Sequence, residues 1–415
     1  MKVLKRLAPA KKDHGVGAPQ EAPCEIESAI LPGTTNRKSI FTFTDTVRAW
    51  FACTMSTGAL AVVLGQSPYR FRGLDIIGKF VYILNVILLL AFTAAITARF
   101  AMKPIVIIRS LHHPTEGLFY GAFWVSPSLV LTGAQVYGVP SSGLWLAKAL
   151  EICFWIYAIF AFVVAVWQYA TLFVDERLPV SGAMPAWIFP AYPFLVIGSL
   201  AGAHLPNQPQ EAALPIFIGA VMLQGLGWML ATCMYAIYIQ RLMSSNLPDP
   251  SRRPAMYISV GPVGYTSAAL VSLGSQATNV IPHGFLSTTI NVGEVIKILG
   301  VLSGIFLWAV DFWFFCLSSL AVIQGAKRMR FTLQWWAFIF PNAGMTLALI
   351  QIGHALNNGP IKAVTSAMTI LLAMAWVLVA VANVRAVIRR QILWDGMDED
   401  DGMDLGPLKS PFDAR

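Results

Sequence analysis

Charged side chains are scarce in this sequence. They make up 12% of its 415 residues, whereas hydrophobic residues make up 56%, and a soluble globular domain carries roughly twice that share of charge. The scarcity excludes an ordinary soluble protein and indicates an integral protein of the lipid bilayer. The formal net charge of +8 does not indicate nucleic-acid binding, because the basic residues form no patch and fall in short segments between apolar runs.

Cysteines are few in this sequence, and two motifs of well-known enzymes are absent from it. Only five cysteines occur, and four of them lie inside apolar runs, so neither disulfides nor a Cys-ligated metal site is expected. The chain contains no G-x-x-x-x-G-K-[ST] and no H-E-x-x-H, the motifs for nucleotide and zinc chemistry. The sequence therefore predicts no enzyme, no metal and no cofactor, and any transport must be driven by gradients.

Long apolar runs dominate the rest of the chain. A helix needs about 20 apolar residues to cross the hydrocarbon core. Ten such runs lie at 47–66, 76–100, 117–138, 145–173, 185–203, 212–242, 256–278, 290–324, 333–357 and 362–391. The sequence predicts an all-α integral membrane protein whose transport domain of ten transmembrane helices covers residues 47–392. Residues 1–46 are expected to form a disordered N-terminal arm, and residues 393–415 an acidic tail.

The distribution of basic residues predicts the orientation. Lysines and arginines occur in the N-terminal arm, in the second, fourth, sixth and eighth loops and around the tail, but the third, fifth and seventh loops have none. Basic loops face the cytoplasm, so both termini are expected there, in a multi-pass protein of the plasma membrane. The first loop breaks this pattern, because Arg70 and Arg72 lie on the side that otherwise lacks basic charge.

Helix-breaking residues recur on alternate spans. Proline inside a membrane helix frees a backbone group that only protein or a water-filled cavity can satisfy. The even-numbered spans have no interior proline, and the odd-numbered spans carry Gly58, Pro127, Pro190, Pro262 and Pro341. The alternation predicts five tandem helical hairpins, with kinked odd helices lining a central pore and even helices outside. The alternative is that Gly and Pro are simply commoner in membrane helices.

A few polar side chains near or within the spans are candidates for substrate binding. Arg70 is always charged and can grip a carboxylate with two hydrogen bonds, although an interfacial arginine bound to lipid phosphate is an alternative. Gln224, halfway along the sixth span, offers a neutral donor and acceptor, with an interhelical hydrogen bond as its alternative role. Thr54, Ser56 and Thr57 add hydroxyl groups on the first span.

Asp311 is the most deeply placed ionisable residue of the spans. It lies in the middle of the eighth span, in "LWAVDFWFF", with no partner at helical spacing. A charge at this depth is costly, so the side chain is expected to be protonated or paired across helices. Because its span is even-numbered, Asp311 is expected to face the outer ring or a subunit contact.

Five blocks of sequence resemble those of one known family. In chain order they are "WFACTMSTGALAVVLG", "PYRFRGLDIIGKFVYIL", "PAWIFPAYP", "RPAMYISVGP" and "WWAFIFPNAG". They resemble the tellurite-resistance/dicarboxylate transporter family, which includes the plant slow anion channels, and are most similar to its fungal malate permease branch. The resemblance covers about residues 45–392. It implies ten helices as five tandem hairpins, a central pore lined by odd helices and a homotrimer.

The resemblance also implies a function and roles for residues. It implies transport of malate, succinate, fumarate or similar C4 dicarboxylates, with Phe340 closing the pore and Arg70 and Gln224 near the bound substrate. The direction of transport and the participation of protons stay open. Sulfite efflux, or another small-anion channel of the same superfamily, is the alternative.

Overall fold

The computed structural model describes residues 47–102, 114–176 and 179–392. Within these ranges the chain folds into helices joined by short loops, with no β-strand. The expected N-terminal arm and acidic tail lie outside the described residues.

Ten α-helices of 13 residues or more occur in the described part of the chain, close to the ten predicted runs. They are α1 (Val47–Gln66), α2 (Leu74–Met102), α3 (Pro114–Gly133), α4 (Leu144–Thr171), α5 (Tyr192–His204), α6 (Gln210–Ser244), α7 (Val260–Val280), α8 (Val292–Gly325), α9 (Phe340–Ala355) and α10 (Gly359–Ile388).

Eight of these helices, taken with their flanking turns, are long and apolar enough to cross a membrane in the described residues. The other two are α1, whose apolar stretch is the shorter Trp50–Gln66, and α3. The all-α membrane class is therefore confirmed, and a crossing by all ten helices stays a prediction for α1 and α3.

Odd and even helices differ sharply in burial. In the most apolar window of each segment, 78% of residues are buried for α5, 94% for α7 and 83% for α9, against 22% for both α8 and α10. In α1, every residue from 50 to 65 is buried. The even helices expose Ile, Leu, Val and Phe side chains, as lipid contact requires. The predicted arrangement of inner odd helices and outer even helices is confirmed.

Three of the inner helices begin with a tight 3₁₀ segment before they become α-helical. The segments are Pro185–Ala191 before α5, Pro250–Ser259 before α7 and Leu333–Phe338 before α9. Irregular backbone of this kind persists at membrane depth only where protein surrounds it. The burial of the inner helices meets that condition.

The prolines of these helices mark the change from 3₁₀ to α-helix. Pro193, Pro262 and Pro341 all lie in the first turn of their α-helices, and Pro190 lies within the preceding 3₁₀ segment. A proline in the first turn removes an N–H that has no partner inside the helix, so it fits there without breaking a bond. The proline pattern therefore locates helix starts inside the membrane.

Gly58 and Pro127 behave differently, since neither interrupts its helix. α1 and α3 both continue through these positions, and α3 becomes irregular only later, in a π-helical turn at Ala134–Gly138. A methyl group at Gly58 would lie 2.7 Å from Asn85 Nδ2 and 3.0 Å from Leu129 Cβ. The glycine thus allows α2 and α3 to approach α1. Among even helices, α6 contains Pro215 in its second turn, so the expectation that even spans have no interior proline was wrong for α6.

Candidate functional site

The inner helices line an open-sided cavity of about 290 Å³, mostly with residues of their C-terminal halves. The described residues that line it all belong to odd helices or their direct continuations, and none of them is Lys, Arg, Asp, Glu or His. A cavity needs only ~10–15 Å³ of such volume to hold one water molecule. The cavity therefore has room for a small hydrated organic solute in an uncharged, polar setting.

Each of the five inner helices contributes one carboxamide to this cavity. The five are Gln66, Gln135, Asn207, Gln276 and Gln351. Gln351 Nε2 donates to Gln66 Oε1 over 2.8 Å, which joins α9 to α1. Gln135 is only 4% exposed, yet neither heteroatom of its amide has a hydrogen-bond partner among the described residues. The cavity is thus lined by residues with neutral hydrogen-bond donors and acceptors, some of which have no partner among the described residues.

Three aromatic side chains, called the aromatic plug below, pack together at one end of the cavity. Tyr265 lines the cavity, and its ring stacks on Phe340 with centroids 4.8 Å apart. The Tyr192 ring lies on Phe340 at 5.7 Å, and its hydroxyl donates to the Ile258 carbonyl oxygen. Phe340 is fully buried.

A much smaller pocket lies on the other side of the aromatic plug. A pocket of about 20 Å³ is lined by Phe340, Tyr192 and residues such as Met55 and Ile258. It holds roughly one water. Since Tyr265 faces the large cavity and Phe340 faces the small pocket, the stacked pair separates them.

The structure places Arg70 outside the cavity. It follows α1 by four residues, its side chain is 48% exposed, and its guanidinium donates to the carboxylate of Asp75 at the start of α2. Arg70 is not among the residues that line the cavity.

The three hydroxyls of α1 are buried in contacts between helices. Thr54 Oγ1 lies 2.8 Å from Ser126 Oγ on α3. Ser56 Oγ donates to the carbonyl oxygen of Trp336 in the segment before α9, and Thr57 Oγ1 accepts from Trp376 Nε1 on α10. None of the three lines the cavity. Their geometry ties α1 to its neighbours.

Gln224 has the interhelical role that the sequence left open as an alternative. Its Oε1 accepts from the backbone N–H of Gly198 at 3.1 Å, and its Nε2 donates to Thr266 Oγ1 at 2.9 Å. Gln224 is 3% exposed and lies outside the cavity lining. Both heteroatoms of its amide already have protein partners, so the residue connects α6 to α5 and α7.

Asp311 faces inward, so the expectation that it faces the outer ring or a subunit contact was wrong. The residue is fully buried, and neither carboxyl oxygen has a hydrogen-bond partner among the described residues. A methyl group at Gly264 would lie 2.6 Å from Asp311 Oδ2 and 2.6 Å from the Met345 nitrogen. Asp311 therefore occupies the junction of α8 with α7 and α9, because its face of an otherwise lipid-exposed helix points to the inner ring.

Neither Gln135 nor Tyr265 was expected from the sequence to line a cavity. One signal was available, since carboxamides recur near the C-terminal ends of the odd spans. Tyr265 gave no comparable signal, as the chain has 11 tyrosines and nothing local distinguishes this one.

Inner helices around a neutral cavity, surrounded by lipid-facing helices, have the arrangement of a membrane transport protein. The family follows from comparison with known proteins. Residues 47–384 match the model of the voltage-dependent anion channel family, SLAC1. The chain belongs to this family.

Its relatives include malic acid transport proteins and sulfite efflux pumps. The chain is 31% identical over 355 residues to the "Malic acid transport protein" of Schizosaccharomyces pombe, covering 85% of this chain and 81% of that protein. A "Putative malic acid transport protein" of the same organism is 26% identical over 85% of this chain and 82% of its own length. The "Sulfite efflux pump SSU1" of Arthroderma otae is 26% identical, with coverage of 80% and 88%.

Proposed function

We propose that this protein carries malate and related C4 dicarboxylates, such as succinate and fumarate, across the plasma membrane. The observation that carries the proposal is the 31% identity to a malic acid transport protein over 85% of the chain. The cavity supports it, since about 290 Å³ of uncharged, hydrogen-bonding space suits a small polar organic anion. In this proposal the protein is a homotrimer with both termini in the cytoplasm.

Phe340 is the gate in this proposal. The path between the 290 Å³ cavity and the 20 Å³ pocket opens only when the Phe340 ring leaves its stack with Tyr265 and Tyr192. Each negative charge that leaves the cell down a 100 mV inside-negative potential gains about 2.3 kcal/mol. Export of a dianion therefore needs no ATP, whereas uptake needs protons as co-ions or on the substrate itself.

The other residues singled out from the sequence serve the same path without touching substrate inside the cavity. Thr54, Ser56, Thr57 and Gln224 hold the inner helices against their neighbours through the hydrogen bonds described above. Arg70 attracts the anion toward the end of α1. Its pairing with Asp75 moderates that attraction.

Flux measurements on the wild-type protein test the proposed substrate. Purified protein in liposomes is expected to exchange labelled malate, with unlabelled succinate or fumarate competing and with sulfite and chloride competing weakly. Rates should respond to an imposed membrane potential, because net charge moves. Protein-free liposomes provide the background.

Sulfite efflux is the second candidate, favoured by the 26% identity to a sulfite efflux pump over 80% of the chain. Sulfite flux that persists without malate and that malate does not inhibit would assign the protein to that activity. Malate flux that exceeds sulfite flux at equal concentrations would exclude it.

Replacing Arg70 by alanine is expected to raise the KM for malate about twofold to fivefold at low ionic strength, as for other exposed charges. The effect should shrink at physiological salt, where the screening length is about 8 Å. Asp75→Asn is the matched counterpart: it frees Arg70 from its ion pair and should lower KM. A folded Arg70→Ala protein that has lost all flux at every salt concentration would contradict a steering role and indicate direct contact with substrate.

A further inference from the structure

We infer that Gln66 and Gln351 together form a neutral binding site for one carboxylate of the substrate. The inference rests on the proposed function, since it names the groups that hold a C4 dicarboxylate. Gln66 is the last residue of α1, and Gln351 lies in the C-terminal half of α9. Both residues line the cavity, and neither was a candidate from the sequence.

The two side chains are joined by a direct hydrogen bond. Gln351 Nε2 donates to Gln66 Oε1 over 2.8 Å. Whichever amide donates, this bond uses one N–H and one carbonyl oxygen, so three N–H groups and one oxygen of the pair remain. The two side chains make no other hydrogen bond among the described residues. The pair therefore has an excess of free donors, which suits an ionised carboxylate, since that group only accepts.

The spacing of the pair allows both amides to bind the same carboxylate. The contact between Gln351 Nε2 and Gln66 Oε1 measures 2.8 Å. Because the C=O and C–N bonds of an amide are about 1.23 and 1.33 Å long, the two amide nitrogens lie no more than about 5.4 Å apart. An N–H···O hydrogen bond spans about 2.9 Å. One carboxylate can therefore accept from Gln66 Nε2 and Gln351 Nε2 together.

Both amides are accessible to a solute in the cavity. Gln66 and Gln351 are partly exposed, and no atom of either amide is fully buried without a partner. Gln135 and Tyr265 line the same cavity, but the polar atoms of their side chains are fully buried. A bound anion thus contacts the Gln66–Gln351 pair rather than those two groups.

The loop after α1 connects the pair to the exposed arginine. Arg70 follows Gln66 by four residues, so even a fully extended chain separates their Cα atoms by no more than about 14 Å. The Tyr69 hydroxyl donates to the Gly359 carbonyl oxygen at 3.4 Å, at the start of α10. The loop and the amide pair therefore join the same two hairpins, and an anion that Arg70 attracts is already near the pair.

A neutral pair suits passage better than a fixed positive charge. A transported ion must bind well enough to enter and weakly enough to leave. Hydrogen bonds from neutral amides to a carboxylate meet the first condition, and the absence of charge from the described lining residues meets the second. Affinity at this site is therefore expected to change little with ionic strength, in contrast to the attraction by Arg70.

Three variants test the pair in proteoliposomes with labelled malate. Gln66→Met removes the amide with little change in size, and it should raise the KM for malate about tenfold, as expected for a lost hydrogen bond to a charged group. Gln351→Met should raise KM by a similar factor. Gln66→Glu keeps an oxygen that accepts from Gln351 Nε2 but has no N–H. It should therefore keep the wild-type melting temperature and raise KM at least as much as Gln66→Met.

Gln208→Met is the matched control for a lost amide. Gln208 is also a partly buried carboxamide that follows an inner helix, and its Nε2 donates to the Ala147 carbonyl oxygen at 2.9 Å. It is not among the residues that line the cavity. Its replacement should lower the melting temperature slightly and leave KM unchanged. A rise in KM equal to that of Gln66→Met would show a general effect of lost amides and would overturn the site.

The other outcomes separate the site from the proposed function. Wild-type KM in Gln66→Glu would reduce the pair to a structural link between α1 and α9. Wild-type KM in Gln66→Met would show that the amide of Gln66 does not hold the substrate. Either result would overturn the site and leave malate transport intact. No malate flux in the wild type would overturn the function and, with it, the ligand named here.

Discussion

The Phe340→Ala protein is expected to leak anions at least about tenfold faster than the wild type, because an aromatic constriction that blocks hydration of the path is the barrier in the closed state. The substitution removes the ring that lies between Tyr265 and Tyr192 and joins the 290 Å³ cavity to the 20 Å³ pocket. Passive chloride and malate currents across a planar bilayer measure the leak directly.

Phe51→Ala is the control for this experiment. Phe51 is as deeply buried as Phe340, but its ring packs on Phe92 and Phe123, away from the plug. Both substitutions should destabilise the fold by a similar amount, about 3–5 kcal/mol. Only Phe340→Ala should raise the leak, and equal currents in the two variants would remove Phe340 from the role of gate.

Replacing Gly264 by valine is expected to abolish accumulation of folded protein. A single methyl group at this position would already lie 2.6 Å from the Met345 nitrogen and 2.7 Å from the Gly344 carbonyl carbon of α9, as well as against Asp311. These are backbone atoms of a buried helix, which cannot move aside as a flexible side chain does. Overpacking typically costs about 1–3 kcal/mol and more where the backbone must shift. Size-exclusion profiles and melting temperatures in detergent measure the loss.

Gly225→Val is the matched comparison for Gly264→Val. Gly225 is also a helical glycine, but it lies on the exposed side of α6, with no atom within 4 Å of an added methyl group. That variant should purify like the wild type. Equal yields of the two valine variants would mean that α7 and α9 can separate without unfolding the inner ring.

The architecture was largely predictable because two simple physical rules determine it. Spans must be apolar over about 30 Å, and the run predicted at 47–66 coincides with α1 (Val47–Gln66). Backbone irregularities must avoid lipid, so Pro262 and Pro341 on alternate spans correctly indicated which helices lie inside. The form of the irregularity was not predictable: Pro341 starts an α-helix after a 3₁₀ segment, and Pro127 leaves its helix intact.

The roles of individual polar side chains were much less predictable, because they depend on which groups are paired after packing. Gln224 and Gln135 are both amides in apolar surroundings, but only the structure shows that Gln224 has two protein partners and that Gln135 has none among the described residues. Asp311 illustrates the same limit. Its helix was correctly assigned to the outer ring. The direction in which one side chain points depends on how the helix is rotated about its axis, and the pattern of spans does not reveal that rotation.

The 3₁₀ segments also determine how the short inner helices reach across the bilayer. The 13 residues of α5 rise only about 20 Å at 1.5 Å per residue, well short of a hydrocarbon core of about 30 Å. The seven residues of Pro185–Ala191 add roughly 14 Å, since the tighter coil rises about 2.0 Å per residue. A 3₁₀ segment therefore spans more of the membrane thickness per residue than an α-helix does. As a result, the α-helix and its first aromatic ring begin about midway through the membrane rather than at its surface.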